Sequence, residues 1–206
     1  MKAELAKAKA LDVYQMLIDQ GFDCLKFPGG TSRNGNFFEG GIIYRFNEQG
    51  KIQFLLVPYN SHFFEHESVS AKPEKETENA LLQREIFEET GLKIKDSALN
   101  ATDNTVFEKS VPDKRPTHVG QFHKKRFRRF PLESCEGEVA SYTGKNPIEP
   151  ETGSPLWLEL DVLAVVFSFD GKDDCQLIHS SHLHLVSANR IKDSLLLLGV
   201  EFFYGL

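Results

Sequence analysis

The chain has 206 residues, enough for one domain of generous size, and its 40% hydrophobic and 26% charged residues exclude wholesale disorder. Its formal charge of −6 disfavours non-specific coating of nucleic acid, although a local basic site remains open. Cys24, Cys135 and Cys175 are odd in number and lack metal-ligand spacing, so they read as free thiols of a reducing compartment.

In chain order, Leu5, Ala8, Leu11, Tyr14 and Leu17 recur at near-helical spacing, and this predicts a helix over Ala3 to Asp19 with Gly21 as its stop. Its interleaved Lys, Glu and Asp exclude a secretory signal, so a cytoplasmic location is expected. Pro28 to Gly40 reads as a loop. Gly41 to Phe46 and Ile52 to Pro58 are β-rich runs around Asn47-Glu48-Gln49-Gly50, which predicts a hairpin. After the polar stretch Ser61 to Glu78 comes a helix over Thr77 to Thr90. Strands are expected in Ala101 to Lys109 and Val119 to Phe130, with a turn around Pro112 to Pro116. Glu133 to Ser154 reads as a long surface loop. Leu156 to Phe169 is ambiguous between helix and strand, and Ser187 to Leu198 is helical in pattern. The apolar runs Val162 to Phe167 and Leu195 to Val200 are too short to cross a bilayer. Strands on both sides of a central helix point to an α/β layered fold.

The segment Glu76 to Leu92 carries the chemistry. On a helix Glu85 lies three residues before Glu88 and four before Glu89, so all three share a face. Leu82 and Ile86 lie on one flank, with Ala80 and Phe87 on the other, and both flanks are expected to anchor the helix. Crowded carboxylates repel, and a hard divalent cation such as Mg²⁺ or Mn²⁺ is the natural compensation. The alternative is a solvated acidic face. Thr90-Gly91 supplies the helix end.

The spacing resembles the Nudix box: Gly, five residues, Glu, seven residues, then Arg-Glu-aliphatic-any-Glu-Glu-any-Gly-aliphatic. Glu76, Arg84, Glu85, Ile86, Glu88, Glu89, Gly91 and Leu92 take their pattern positions, while Ser70 stands where the pattern has its leading glycine. The resemblance covers Ser70 to Leu92. It implies a single Nudix-like α/β/α sandwich with a mixed sheet over residues 1–206, preceded within that span by an N-terminal helical extension over 1–36. It further implies a hydrolase cleaving the pyrophosphate of a nucleoside diphosphate linked to another moiety. In such enzymes Glu88 and Glu89 would hold Mg²⁺ or Mn²⁺, with the backbone carbonyl of Ser70 completing the shell. Glu85 would be a further ligand or the general base, and Arg84 would hold the carboxylates in place. A catalytically weak nucleotide-binding module and an enzyme acting on RNA 5′ ends are the alternatives.

Some members of that family place a base or ligand on a later loop, and Glu133, Glu136, Glu138, Glu149 and Glu151 are the candidates here. His123 to Phe130 is the one basic cluster. Lys125 and Arg126 are its candidates for substrate contact, against the alternative of a charge-protected edge strand. In a strand only half of these cations can serve one side. His179, His182 and His184 lack zinc-site spacing, and Trp157 reads as a packing residue. Phe202-Phe203-Tyr204 suits either core burial or a homodimer contact. A small nucleotide-type substrate and no membrane are the expected partners.

Overall fold

The computed structural model describes residues 2–32, 37–60, 76–112 and 122–163. Ser70, the histidines from His179 onward, Cys175, the turn around Pro116, Ser187 to Leu198 and the aromatic C-terminus lie outside the described residues.

The chain begins with helix α1 (Lys2–Asp19), which ends near Gly21 at φ 77°. Strands β1 (Cys24–Lys26) and β2 (Gly29–Thr31) follow, then the long hairpin of β3 (Phe37–Phe46) and β4 (Ile52–Tyr59). Helix α2 (Glu78–Thr90) leads to β5 (Lys93–Ile94) and the short α3 (Asp96–Leu99). Strands β6 (Thr105–Pro112) and β7 (Phe122–Pro131), a 3₁₀ turn, β8 (Cys135–Glu136) and β9 (Leu156–Glu159) complete the order.

Seven of these strands form one sheet with the path β1-β4-β3-β7-β6; β2 pairs with β3, and β9 with β4. The β3–β7 ladder is parallel and the other pairings are antiparallel. The sheet is therefore mixed, as expected.

Side-chain alternation sorts two cores onto its faces. Ile42, Phe54, Leu56 and Phe127 pack with Ala10 and Leu17 of α1. Ile43, Leu55 and Phe130 pack with Leu82 and Ile86 of α2. Burying each such large apolar side chain contributes about 1.5–3 kcal/mol. Helices on both faces give the α/β layering that the sequence predicts, with α1 laid directly on the sheet. Gly41 lets α2 come close, because a Cβ there would stand 2.5 Å from Ile86 Cδ1.

Three expectations change. Pro28 to Gly40 is not only loop, since Gly29–Thr31 forms β2 against Phe38–Gly40. The backbone hydrogen bonds of that pairing outweigh the weak strand propensity of glycine. Leu156–Glu159 resolves as a strand on β4. The segment Glu133 to Ser154 is more than surface loop: β8 pairs with β5, and Asn146 and Thr152 are buried.

Candidate active site

Helix α2 is set at both ends by its own residues. The Thr77 hydroxyl accepts from Ala80 N, and Gly91, at φ 77°, caps the far end with its N–H donating to Phe87 O. That register turns Leu81, Leu82, Glu85, Ile86, Glu89 and Thr90 inward. The carboxylates of Glu85 and Glu89 thus share the buried stripe with the apolar anchors. Ala80 and Phe87 do not anchor the opposite flank as expected. Both are exposed, Phe87 at 42%, with Lys93 over its ring. One apolar stripe is enough to dock a helix on a sheet, and here Leu81, Leu82 and Ile86 supply it.

Arg84 binds the acidic residues together. Its Nε donates to Glu76 Oε1 at 2.8 Å, and its Nη1 donates to Glu88 Oε2 at 2.9 Å and lies 2.9 Å from Glu85 Oε1.

The back wall comes from β1 and β2. Glu89 is 0% exposed; Lys26 Nζ donates to its Oε1, and Gly29 N–H donates to its Oε2 at 2.9 Å. Lys26 also reaches Gly29 O and stands over the Tyr59 ring. Burial works against the Lys26 charge, but the facing Glu89 carboxylate more than reverses this and raises its pKa. Gly30 leaves room for Glu85, because a Cβ there would fall 2.3 Å from Glu85 Cδ.

The fourth carboxylate arrives from the long loop. Asn146, 1% exposed, donates from Nδ2 to Glu88 O at 2.8 Å and so fastens the loop to α2. Thr152 holds the Glu149 carbonyl through both its N–H and its hydroxyl. The carboxylates of Glu85, Glu88 and Glu149 then offer ligand oxygens within 4.8 Å of one another. Among the five loop candidates, Glu149 joins the helix carboxylates, while Glu133, Glu136 and Glu138 are exposed.

This donor set suits a hard divalent cation. Glu85, Glu88 and Glu149 would hold it, with Glu89 facing Lys26 and Gly29. Burial, then the Glu89 charge, pushes the Glu85 carboxyl up to about 7. Burial, then the charges of Glu89 and Glu85, pushes Glu149 up to about 9. Both groups bind protons more tightly folded than unfolded, so their stabilisation is full below pH 4.5 and is lost as pH rises through 7 and 9. Without divalent ions the melting temperature is expected to fall from pH 6 to pH 9. Saturating Mg²⁺ or Mn²⁺ should abolish that fall, and a flat metal-free profile would contradict the cluster.

The basic strand is split by its pleat. Arg126 lies on the α2 side, in ion pairs with Glu39 at 2.9 Å and Glu78 at 2.7 Å. Lys125 lies on the other side, over the Phe38 ring. The two are not brought together at one site. Trp157 packs beside Ile43 and Leu55, with Arg45 stacked 4.2 Å from its ring centroid.

Sequence reasoning missed Lys26, Gly29, Gly30 and Asn146. A signal existed for the first three: a lysine set between Leu25 and Phe27, followed by paired glycines. Asn146 carries no local signal.

No family model and no curated protein matches the chain. Among solved structures it is similar to a MutT/nudix family protein from Enterococcus faecalis. That match has 14% identity and a TM-score of 0.35, and covers 59% of this chain and 42% of the other. The functional reading therefore rests on the side chains described above. Among the described residues, no helix is long and apolar enough to cross a membrane.

Proposed function

We propose that this chain is a divalent-metal-dependent hydrolase of the Nudix type. It cleaves the phosphoanhydride of a nucleoside diphosphate joined to another group. The observation that carries this reading is the convergence of Glu149, from a distant loop, on Glu85 and Glu88 of the box helix. A solvated acidic face has no reason to recruit a further carboxylate from a distant loop, because each added like charge raises the cost.

When bound, the cation would neutralise charge on the diphosphate and lower the pKa of a water. The chain supplies the rest. Glu85 is the carboxylate of the cluster that accepts the water proton. As the water oxygen bonds to phosphorus, the bridging P–O bond breaks and the leaving phosphate takes the electron pair. Arg84 orients Glu85 and Glu88 through the contacts above. Lys26 favours the ionised form of Glu89, opposing the burial that raises its pKa.

The test is chromatographic detection of the phosphorylated cleavage products of nucleotide sugars, dinucleotides, nucleoside triphosphates and capped RNA, with Mg²⁺, Mn²⁺ or EDTA. Metal-dependent cleavage of at least one diphosphate-linked compound is expected. No turnover across the whole set would overturn the assignment and favour a binding module.

A further inference from the structure

A row of paired residues crosses four strands on the sheet face that α2 covers. Gly30 of β2 stands opposite Glu39 of β3, Glu39 opposite Arg126 of β7, and Arg126 opposite Glu108 of β6. Residues paired in this way share a face. At one end of the row the missing side chain of Gly30 leaves the seat of Glu85, and beside that seat Glu39 is 0% exposed. We propose that Arg126 is a positioning residue for the acidic cluster. It fixes the first turn of α2 against this row and so sets where Glu85 and Glu88 stand. This role rests on the metal-dependent reading of the cluster and deepens it.

Arg126 holds sheet and helix at once. Its Nε lies 2.9 Å from Glu39 Oε1 and donates to Oε2 at 3.2 Å, and its Nη2 lies 2.7 Å from Glu78 Oε2. A guanidinium is a rigid planar fork, so these contacts fix both the distance and the angle between the two elements. Arg128 repeats the link two residues further along β7. Its Nε lies 3.4 Å from Glu39 Oε2, and its Nη1 donates to Asn79 Oδ1 at 2.8 Å and to Leu99 O at 3.0 Å. From the first turn the path to the cluster is short. Glu76, two residues before Glu78, accepts from Arg84, whose Nη1 reaches Glu85 and Glu88.

Stability alone does not account for this network. Leu81, Leu82 and Ile86 are buried and dock α2 by apolar contact. By contrast, Glu39 Oε1, Arg128 Nε and Arg128 Nη2 are buried without a hydrogen bond among the described residues. Taking such charges out of water costs as much as, or more than, packing apolar residues of the same volume. Apolar contact is non-directional and tolerates a small slide or roll of the helix. Charge-assisted hydrogen bonds do not. That precision matters where three carboxylates, one of them from a distant loop, must bring their oxygens within 4.8 Å of one another.

Charge gives the test its sign. Arg126 is a cation on the same sheet face as a site for another cation, so its own field opposes metal binding. Acting only as a charge, it would weaken the site, and its removal would tighten Mn²⁺ binding. Acting only as a brace for the fold, its removal would lower the melting temperature and leave the affinity of the folded chain unchanged. Acting as a substrate contact, its removal would raise KM alone. A positioning role predicts weaker Mn²⁺ binding despite the loss of a repelling charge.

The experiment is calorimetric titration of Mn²⁺ into the full chain, Arg126→Met and Arg126→Lys, with a melting curve of each. Arg126→Met should bind Mn²⁺ about tenfold or more weakly than the parent, the scale seen when a group that orients metal ligands is lost. Arg126→Lys keeps a charge toward Glu39 and loses the fork, so its affinity should fall between the two. A folded Arg126→Met that binds Mn²⁺ as tightly as the parent, or more tightly, overturns the proposal. If Arg126→Met does not fold, Arg126→Lys decides: affinity equal to the parent's overturns the proposal, and weaker binding supports it. A parent that binds Mn²⁺ and hydrolyses nothing defeats the enzyme reading and leaves this comparison standing. A parent that binds no Mn²⁺ defeats both.

Discussion

Glu85→Gln and Glu149→Gln are each expected to lower kcat by about a hundredfold or more, the usual scale for acid–base and metal-holding groups. Gln keeps the size of the side chain and removes the charge. In Glu85→Gln the proposed acceptor of the water proton is lost as well. Neither variant should unfold, because burial already disfavours both charges in the metal-free chain. Their melting temperatures at pH 8 should equal or exceed that of the parent, since repulsion with Glu89 is relieved. Steady-state kinetics at saturating Mg²⁺, with a melting curve beside each assay, separates catalysis from folding. Full activity in either variant would remove that residue from the site.

Lys26→Met is expected to destabilise the chain by about 3–5 kcal/mol, because removing one partner strands a buried charge. The physical reason is the full burial of Glu89, whose Oε1 would lose the ammonium and whose Oε2 would keep a single N–H from Gly29. Glu89 can escape by taking a proton, so the loss should grow as pH rises. The double variant with Glu89→Gln should recover most of the stability, since the buried charge is then gone. Urea unfolding of the parent, both single variants and the double variant closes the cycle. A loss below about 1 kcal/mol, the scale of an exposed ion pair, would mean that Lys26 and Glu89 are not a buried pair in solution.

Much of the site was legible because helical spacing is a local property. Arg84, Glu85, Glu88 and Glu89 could be placed on one helix from their intervals, and Thr77 and Gly91 mark its ends by their own chemistry. The sheet was legible where β-rich runs are long, as in β3 and β4. What escaped depends on distant pairing. Gly29–Thr31 becomes a strand only through its partner strand, and its weak propensity concealed it. Glu149 was one of five loop glutamates until Asn146 and Thr152 fixed that loop against α2. That Lys26 faces Glu89 was also hidden, because spacing along one helix does not show what a distant strand brings to it. Similarly, a run of cations reads as a basic surface until Glu39, Glu78 and Glu108 are seen to face it.

The most direct measurement is calorimetric titration of Mn²⁺ into the parent chain and into Glu149→Gln at pH 7.5, each in two buffers of different ionisation enthalpy. The parent should bind the ion and release protons, because carboxyls raised to about 7 and about 9 must ionise to become ligands. Glu149→Gln should bind more weakly and release fewer protons. A parent chain that binds no Mn²⁺, or one whose affinity and proton release are unaltered in Glu149→Gln, would contradict a metal centre built on Glu85, Glu88 and Glu149.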